Sequence, residues 1–347
     1  MDIVKKPFGK TADGKAVDLF TLSNADIQIG ILSLGGVINF LKVPDKNGHP
    51  VDIVMGYDSV EEYEKNSGHF GALIGRCANR IAKGRFALNG SEYMLYCNNN
   101  GNHLHGGRFG FDSMVWQPEI SNDKLILSLT SPDGQEGYPG TLDVSVTHSL
   151  SDDGVFTWEY RAKSDKDTLC NLTNHTYFNL SGHNSGSVLN QMIQIESDAF
   201  TESDSELIPT GNILPVDGTP MDFSTPHAIG ERISSDYAAL NLAGGYDHNY
   251  AIRGNTGTLR KAAFAYDLQS GISLNLSTTL PGVQFYTGNF ITEVLGKEKA
   301  VYRKNSGFCL ETQFFPDAIN HPNFEQPILK ANETFSHTTS LKFSVEK

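Results

Sequence analysis

Leu142-Asp143-Val144-Ser145-Val146, followed beyond the turn residues Asp152-Asp153-Gly154 by Val155-Phe156-Thr157-Trp158-Glu159-Tyr160-Arg161-Ala162, reads as strand, turn and strand. Leu142, Val144 and Val146 share one face of the first run. In the second, Phe156, Trp158 and Tyr160 oppose Thr157, Glu159 and Arg161, the period of two expected of a half-buried strand in an antiparallel sheet. The same alternation returns at residues 125–129, 193–195, 272–276 and 341–345, and Asn89-Gly90 and residues 182–186 supply further turn chemistry. Helical periodicity is scarce: residues 59–65, with Ser59 capping and Glu62 three residues on, and residues 226–233.

No Pro-, Ser- or charge-rich linker divides the chain and no fixed repeat runs through it. The expected architecture is all-β, one large antiparallel β-sandwich with a few short helices, spanning residues 1–347 as a single domain. Residues 201–241, rich in Pro, Gly and Asp, are expected as a long loop laid against it. The 39% apolar and 10% aromatic content with 34 glycines suits aromatic strands and many turns. Lys and Arg number 27 against 40 Asp and Glu, and a net charge of −13 argues against nucleic acid or anionic membrane surfaces as the main partner. The start of the chain lacks an apolar signal region and no run approaches the roughly 20 apolar residues of a membrane span, so a soluble, cytoplasmic protein is expected. Cys77, Cys97, Cys170 and Cys309 stand far apart without a C-x-x-C pair, as isolated reduced thiols would.

Chemistry concentrates in five stretches. Asn171-Leu172-Thr173-Asn174-His175-Thr176-Tyr177-Phe178-Asn179-Leu180 packs amides, hydroxyls, an imidazole and two aromatics together, which fits either a pocket wall for a polyhydroxylated ligand or a hydrogen-bonded turn with a core histidine. Residues 71–84 carry three glycines with Arg76 and Arg80 four apart, a weak phosphate cradle or an arginine fork for a hydroxyl or carboxylate. His103-Leu104-His105 is a metal pair by residue type, but no further ligand follows at a familiar spacing, so hydrogen bonding ranks above a metal. Asp247, after Gly244-Gly245-Tyr246, is a hydroxyl acceptor or a turn residue. Glu311, inside the apolar run Gly307-Phe308-Cys309-Leu310-Glu311, must be paired or used, with Arg76 or Arg80 as the obvious partners.

Those blocks, with Asn79-Arg80-Ile81, Leu104-His105-Gly106-Gly107, Tyr246-Asp247-His248 and Leu310-Glu311-Thr312-Gln313, resemble in order and spacing the signatures of the aldose 1-epimerase (galactose mutarotase) family, over about residues 5–345. The resemblance implies a galactose mutarotase-like supersandwich that interconverts the α and β anomers of free aldohexoses, galactose and glucose first, through the open-chain aldehyde. It implies Glu311 as the base at the C1 hydroxyl, His175 as the acid at the ring oxygen and His105 as a helper there. Asn79, Arg80, Asp247 and Gln284 would hold other hydroxyls, and Phe285, Tyr286 or Phe290 would face the ring. Cys77 stands where the family often has Val, outside every implied role. No metal and no cofactor are implied, and the assembly would be a monomer or weak dimer. Acid and base work near neutral pH would need His175 raised by a carboxylate such as Glu311 or Asp247.

Three rivals remain at this point. A hexose-6-phosphate 1-epimerase would draw on Arg76, Arg80, Lys83, Arg85 and Arg108 around the pocket. A non-catalytic carbohydrate-binding β-sandwich has no need of a half-buried glutamate with two histidines. A glycoside hydrolase would pair Glu311 with Asp247 across a glycosidic bond.

Overall fold

The computed structural model describes residues 2–65 and 68–345 of the chain. Its widest sheet has nine strands in the order Gln117–Ser121, Lys124–Ser131, Leu142–Leu150, Val155–Ser164, Thr334–Val345, Ile272–Thr278, Arg260–Tyr266, Met192–Ile195 and His227–Ala228. Every alternating run of the sequence lies in this sheet. Val146 pairs with Tyr160 and His148 with Trp158, so the large apolar side chains gather on one face; Phe156, Trp158 and Tyr160 are buried while Arg161 is exposed.

A five-stranded sheet runs Pro209–Pro215, Ser197–Ser203, Asp247–Ile252, Gly282–Tyr286 and Cys309–Gln313. Another comprises Asp2–Lys10, Ala16–Ser23, Gln28–Leu32, Ile38–Pro44 and Pro50–Asp52 in chain order. All the strand pairings within these three sheets are antiparallel. Side chains from the three sheets, among them Ile29, Leu41, Phe156, Tyr160, Leu274, Phe200, Val283 and Phe285, form one continuous buried cluster. Each such side chain contributes about 1.5–3 kcal/mol on leaving water, which makes this shared core the main bond between the sheets.

The short helix Val60–Lys65 begins as its sequence requires: Ser59 Oγ accepts from the Glu62 N–H at 3.3 Å and donates to the Glu62 carboxylate at 2.7 Å. Residues 226–233 depart from expectation. Instead of a helix they give the strand His227–Ala228, because pairing of Ala228 with Met192 and His227 with Ile193 adds the segment to the wide sheet. Residues 201–241 are likewise no continuous loop. They hold the strand Pro209–Pro215 and enter the helix Ala238–Ala243, and Tyr246 and Tyr250 hydroxyls pin the intervening turns at Pro220 O and Met221 O, 3.0 and 3.1 Å away. The four cysteines are free thiols, three of them buried. Among the described residues no helix is long and apolar enough to cross a membrane.

Candidate active site

The pleat of the second sheet builds one wall of a cavity. Asn249 lies opposite Gln284 and Gln284 opposite Glu311; one step along, Asp247 lies opposite Tyr286 and Tyr286 opposite Cys309. Opposed residues share a face and alternate residues return to it, so Asp247, Asn249, Gln284, Tyr286, Cys309, Glu311 and Gln313 occupy one side. His248, Phe285 and Leu310 occupy the other, toward the core. Gly282 falls in the polar row and has no room for a side chain: a Cβ there would stand 2.4 Å from Asn249 Oδ1. Hydrogen bonds run along the face. Gln284 Nε2 donates to Asp247 Oδ1 at 2.7 Å, Gln313 Nε2 to Gln284 Oε1 at 3.2 Å and Asn249 Oδ1 at 3.1 Å, and Asn79 Nδ2 to Gln313 Oε1 at 3.4 Å.

The adjoining part of the lining comes from residues 171–180, which run beside Cys309–Gln313 with Phe178 bridged to Phe308, and where the amides serve as tethers. Asn171 Oδ1 accepts from Phe314 N, Asn174 Nδ2 donates to Gly71 O, and Asn179 joins Gly186 O, Ser306 O and Gln191. With every amide satisfied, the backbone is fixed and His175 and Tyr177 face inward, ring on ring at 4.9 Å. His175 Nε2 lies 3.6 Å from Glu311 Oε1, and its Nδ1 lies 3.5 Å from Cys309 Sγ. His105 enters from a third direction. Its Nδ1 accepts the Asn79 N–H at 3.1 Å, so in the neutral ring Nε2 carries the proton and is a donor. The following Gly106 is obligatory, for at φ +88° a Cβ would meet Gly75 O at 1.9 Å.

Between these walls lies a cavity of about 600 Å³, lined by His69, Asn79, Arg80, His105, His175, Glu206, Asp247 and Glu311, with Tyr57, Phe70, Tyr177, Tyr286 and Phe290 among its aromatic surfaces. Six of the seven sequence-derived site residues line it. Gln284 does not: it shares their face but is buried, its amide holding Asp247. Of the three aromatics named from the sequence, Phe285 belongs to the core, while Tyr286 and the exposed Phe290 stand at the cavity. His103 is absent from it. Its ring is committed to Tyr96 O at 2.7 Å and the Tyr138 hydroxyl at 2.6 Å, because His105 leaves the strand at φ +52° and the two imidazoles part company.

Arg76 is no partner of Glu311 either. Its guanidinium, 2% exposed, donates to Ser131, Pro132 O, Pro139 O, Gly140 O and Thr168, and burial lowers its pKa to about 10. Lys83 pairs with Glu206, Arg85 with Glu92, and Arg108 lies over Phe109, so the basic residues disperse. His69, Tyr57, Phe70 and Glu206 went unread in the sequence. A lone histidine after a glycine carries no local signal, and the others become neighbours only through the sheets.

Electrostatics differ from the sequence-based expectation. Glu311 is 2% exposed, and its Oε2 has no hydrogen-bond partner. Burial first, and then the Asp247 carboxylate, push its pKa well above the usual range, with Arg80 opposing. His175 is lowered to about 3, mainly by burial and then by His69, and burial holds His105 well below its ordinary value. A raised histidine was expected; desolvation outweighs the carboxylate 3.6 Å away. Both shifts favour the uncharged forms, a protonated Glu311 beside a neutral His175, and moving that one proton to His175 creates the ion pair without changing net charge. His105, His175 and Glu311 also offer ligand atoms all within 4.8 Å of one another, a spacing at which a divalent cation would fit.

Fold and site together define an acid–base isomerase on an antiparallel sandwich. The chain belongs to the aldose 1-epimerase family, whose model matches residues 18–342. It is similar to the galactose mutarotases of Bos taurus, 44% identical over 347 residues, and Homo sapiens, 43% over 345, with 99% of each chain covered in both cases. The aldose 1-epimerase of Escherichia coli K12 is 34% identical over 338 residues, covering 96% of this chain and 97% of that one. Among solved structures, an aldose epimerase homologue from C. elegans superposes with a TM-score of 0.88 at 27% identity, covering 96% of this chain and 100% of that one. A galactose 1-epimerase from Lactobacillus acidophilus gives 0.87 at 26%, covering 100% and 99%.

Proposed function

We propose that the chain interconverts the α and β anomers of free aldohexoses, galactose foremost and glucose also, with Glu311 as base and His175 as acid. The observation that carries this is the buried Glu311 carboxyl, its Oε1 3.6 Å from His175 Nε2 and its Oε2 without a hydrogen-bond partner, on the wall of a sugar-sized cavity. With the pair's proton on His175, Glu311 takes the proton of the C1 hydroxyl while the C1–ring oxygen bond breaks and His175 protonates the ring oxygen. Rotation about C1–C2 and closure on the other aldehyde face return both protons. The step is proton-neutral and leaves every oxidation state unchanged, so it calls on no redox cofactor. His105 Nε2–H would hold the ring-oxygen side; Asn79, Arg80 and Asp247 would hold other hydroxyls, with Gln284 orienting Asp247.

Charge favours neutral sugars over their phosphates. Among the described residues lining the cavity, Arg80 is the single Lys or Arg, with the Asp247 carboxylate on the same wall and Glu206 already paired with Lys83. The core shared by three sheets supports one domain over residues 1–347, the free thiols agree with a reducing, cytoplasmic setting, and the assembly proposed with them is a monomer or weak dimer. Polarimetry of freshly dissolved α-galactose and α-glucose is the test. Protein-dependent approach to the same final rotation is expected; a rate equal to the buffer's, or faster turnover of galactose 6-phosphate, would overturn the reading.

A further inference from the structure

His69 and Asp112 form a dyad on the cavity wall that the proton transfers above leave unused. His69 Nδ1 lies 2.8 Å from Asp112 Oδ2. An ionised carboxylate only accepts, so Nδ1 carries the proton and Nε2 of the neutral ring is left as an acceptor, with no partner among the described residues. His105 has the opposite polarity, since Asn79 N–H fills its Nδ1 and its Nε2 donates. The His69 ring lies 5.0 Å from that of His105 and 5.8 Å from that of His175, centroid to centroid.

The dyad is built rather than incidental. Asp112 sits in the single turn Phe111–Ser113, which is fixed by the Trp116 indole on Phe111 O at 3.1 Å and by Phe111 N–H on Gly75 O, also 3.1 Å. Gly110 leaves room for the carboxylate, as a Cβ there would stand 2.8 Å from Asp112 Oδ1. His69 itself is left-handed at φ +54°, a conformation it shares with Asn79 at +62° and His105 at +52°.

We propose that His69, oriented by Asp112, touches the substrate, accepts a hydrogen bond from one sugar hydroxyl and so contributes to which aldoses bind. This rests on the cavity taking free aldoses. Together, His69 and His105 would present an acceptor and a donor side by side, a pattern that matches a run of hydroxyls and rejects a sugar lacking the one that donates.

The test compares His69→Phe and Asp112→Asn with wild type on galactose and on its 2-, 3-, 4- and 6-deoxy forms. His69→Phe should raise KM for galactose roughly tenfold with kcat changed less than about threefold, the size of one lost hydrogen bond. Asp112→Asn can donate its amide to Nδ1, turning Nε2 from acceptor to donor, and should raise KM similarly with an unchanged thermal midpoint. For a single deoxy sugar the His69→Phe penalty should vanish, because the partner hydroxyl is already gone. An equal penalty on all four deoxy sugars, an unchanged KM, or a KM rise that merely tracks a fall in thermal midpoint would overturn the assignment. If wild type catalyses no mutarotation, the functional reading fails separately, and calorimetric binding of the same sugars to the same variants then tests His69 by the same pattern of losses.

Discussion

Glu311→Gln should move activity and stability in opposite directions. The side chain keeps its length and reach but loses the base, so kcat on α-galactose should fall by roughly 10²–10⁴, the range for one positioned proton-transfer group, with a far smaller change in KM. The stability effect follows from burial. Folding raises the pKa of Glu311, so between its unfolded value near 4.5 and its higher folded value the native state binds the extra proton. Native stability is then lost as pH rises through that window, by at most about 1.4 kcal/mol per pH unit. Glutamine has no such slope. Wild type and variant should have similar thermal midpoints near pH 4.5, and the variant should gain at higher pH, by roughly 2 °C for each kcal/mol in a chain of this size. Polarimetry at saturating sugar and thermal unfolding from pH 4.5 to 8.5 measure the two halves. Near-normal kcat would remove Glu311 from the chemistry, and a midpoint difference independent of pH would mean the carboxyl is ionised and well paired in solution.

The pH profile of kcat/KM should be a bell whose limbs are exchanged relative to a simple acid–base assignment: the acid limb near 3 reports protonation of His175 and the alkaline limb reports loss of the Glu311 proton, since the singly protonated pair is the competent form. An acid limb above 5 in the free enzyme would contradict the burial argument. His175→Asn should lower kcat by roughly 10²–10⁴, and combined with Glu311→Gln the loss should be smaller than the product of the two single losses, because both act on one ring opening; strict multiplicativity would place them on separate steps. Activity should survive exhaustive chelation, with His105, His175 and Glu311 serving as proton and hydrogen-bond groups; loss with EDTA and recovery on adding zinc would make them metal ligands instead.

Alternation made the wide sheet legible, because strands such as Val155–Ser164 have one wet and one dry face and so write their pleat into the residue order. Residues 226–233 misled because local helical spacing lost to a two-residue pairing with a strand more than thirty positions away. The site residues were legible as types: a carboxylate in an apolar strand and an imidazole among amides are each anomalous alone. Their protonation was not, since it depends on how deeply His175 and Glu311 are buried together, which no spacing of 136 positions conveys. Nor was the layering. Gln284 and Phe285 are neighbours in sequence, yet one backs Asp247 and the other lies in the core, and only the register against Glu311 and Leu310 assigns them.

The polar face that carries Asp247, Gln284 and Glu311 exists through strand parity alone, and parity cannot be adjusted by degrees. One residue inserted or deleted within Gly282–Tyr286 or Cys309–Gln313 would present Phe285 or Leu310 to the sugar and bury the carboxylate among Val283 and Tyr250. The turn at Ser205–Glu206–Leu207 and the segment Phe290–Ile291–Thr292 reach the same cavity without belonging to that ladder. Diversification toward new sugars therefore has an asymmetric map: the three strands accept substitution but no change of length, whereas the rim turns can lengthen or shorten and reshape the entrance while the chemistry behind them stays in register.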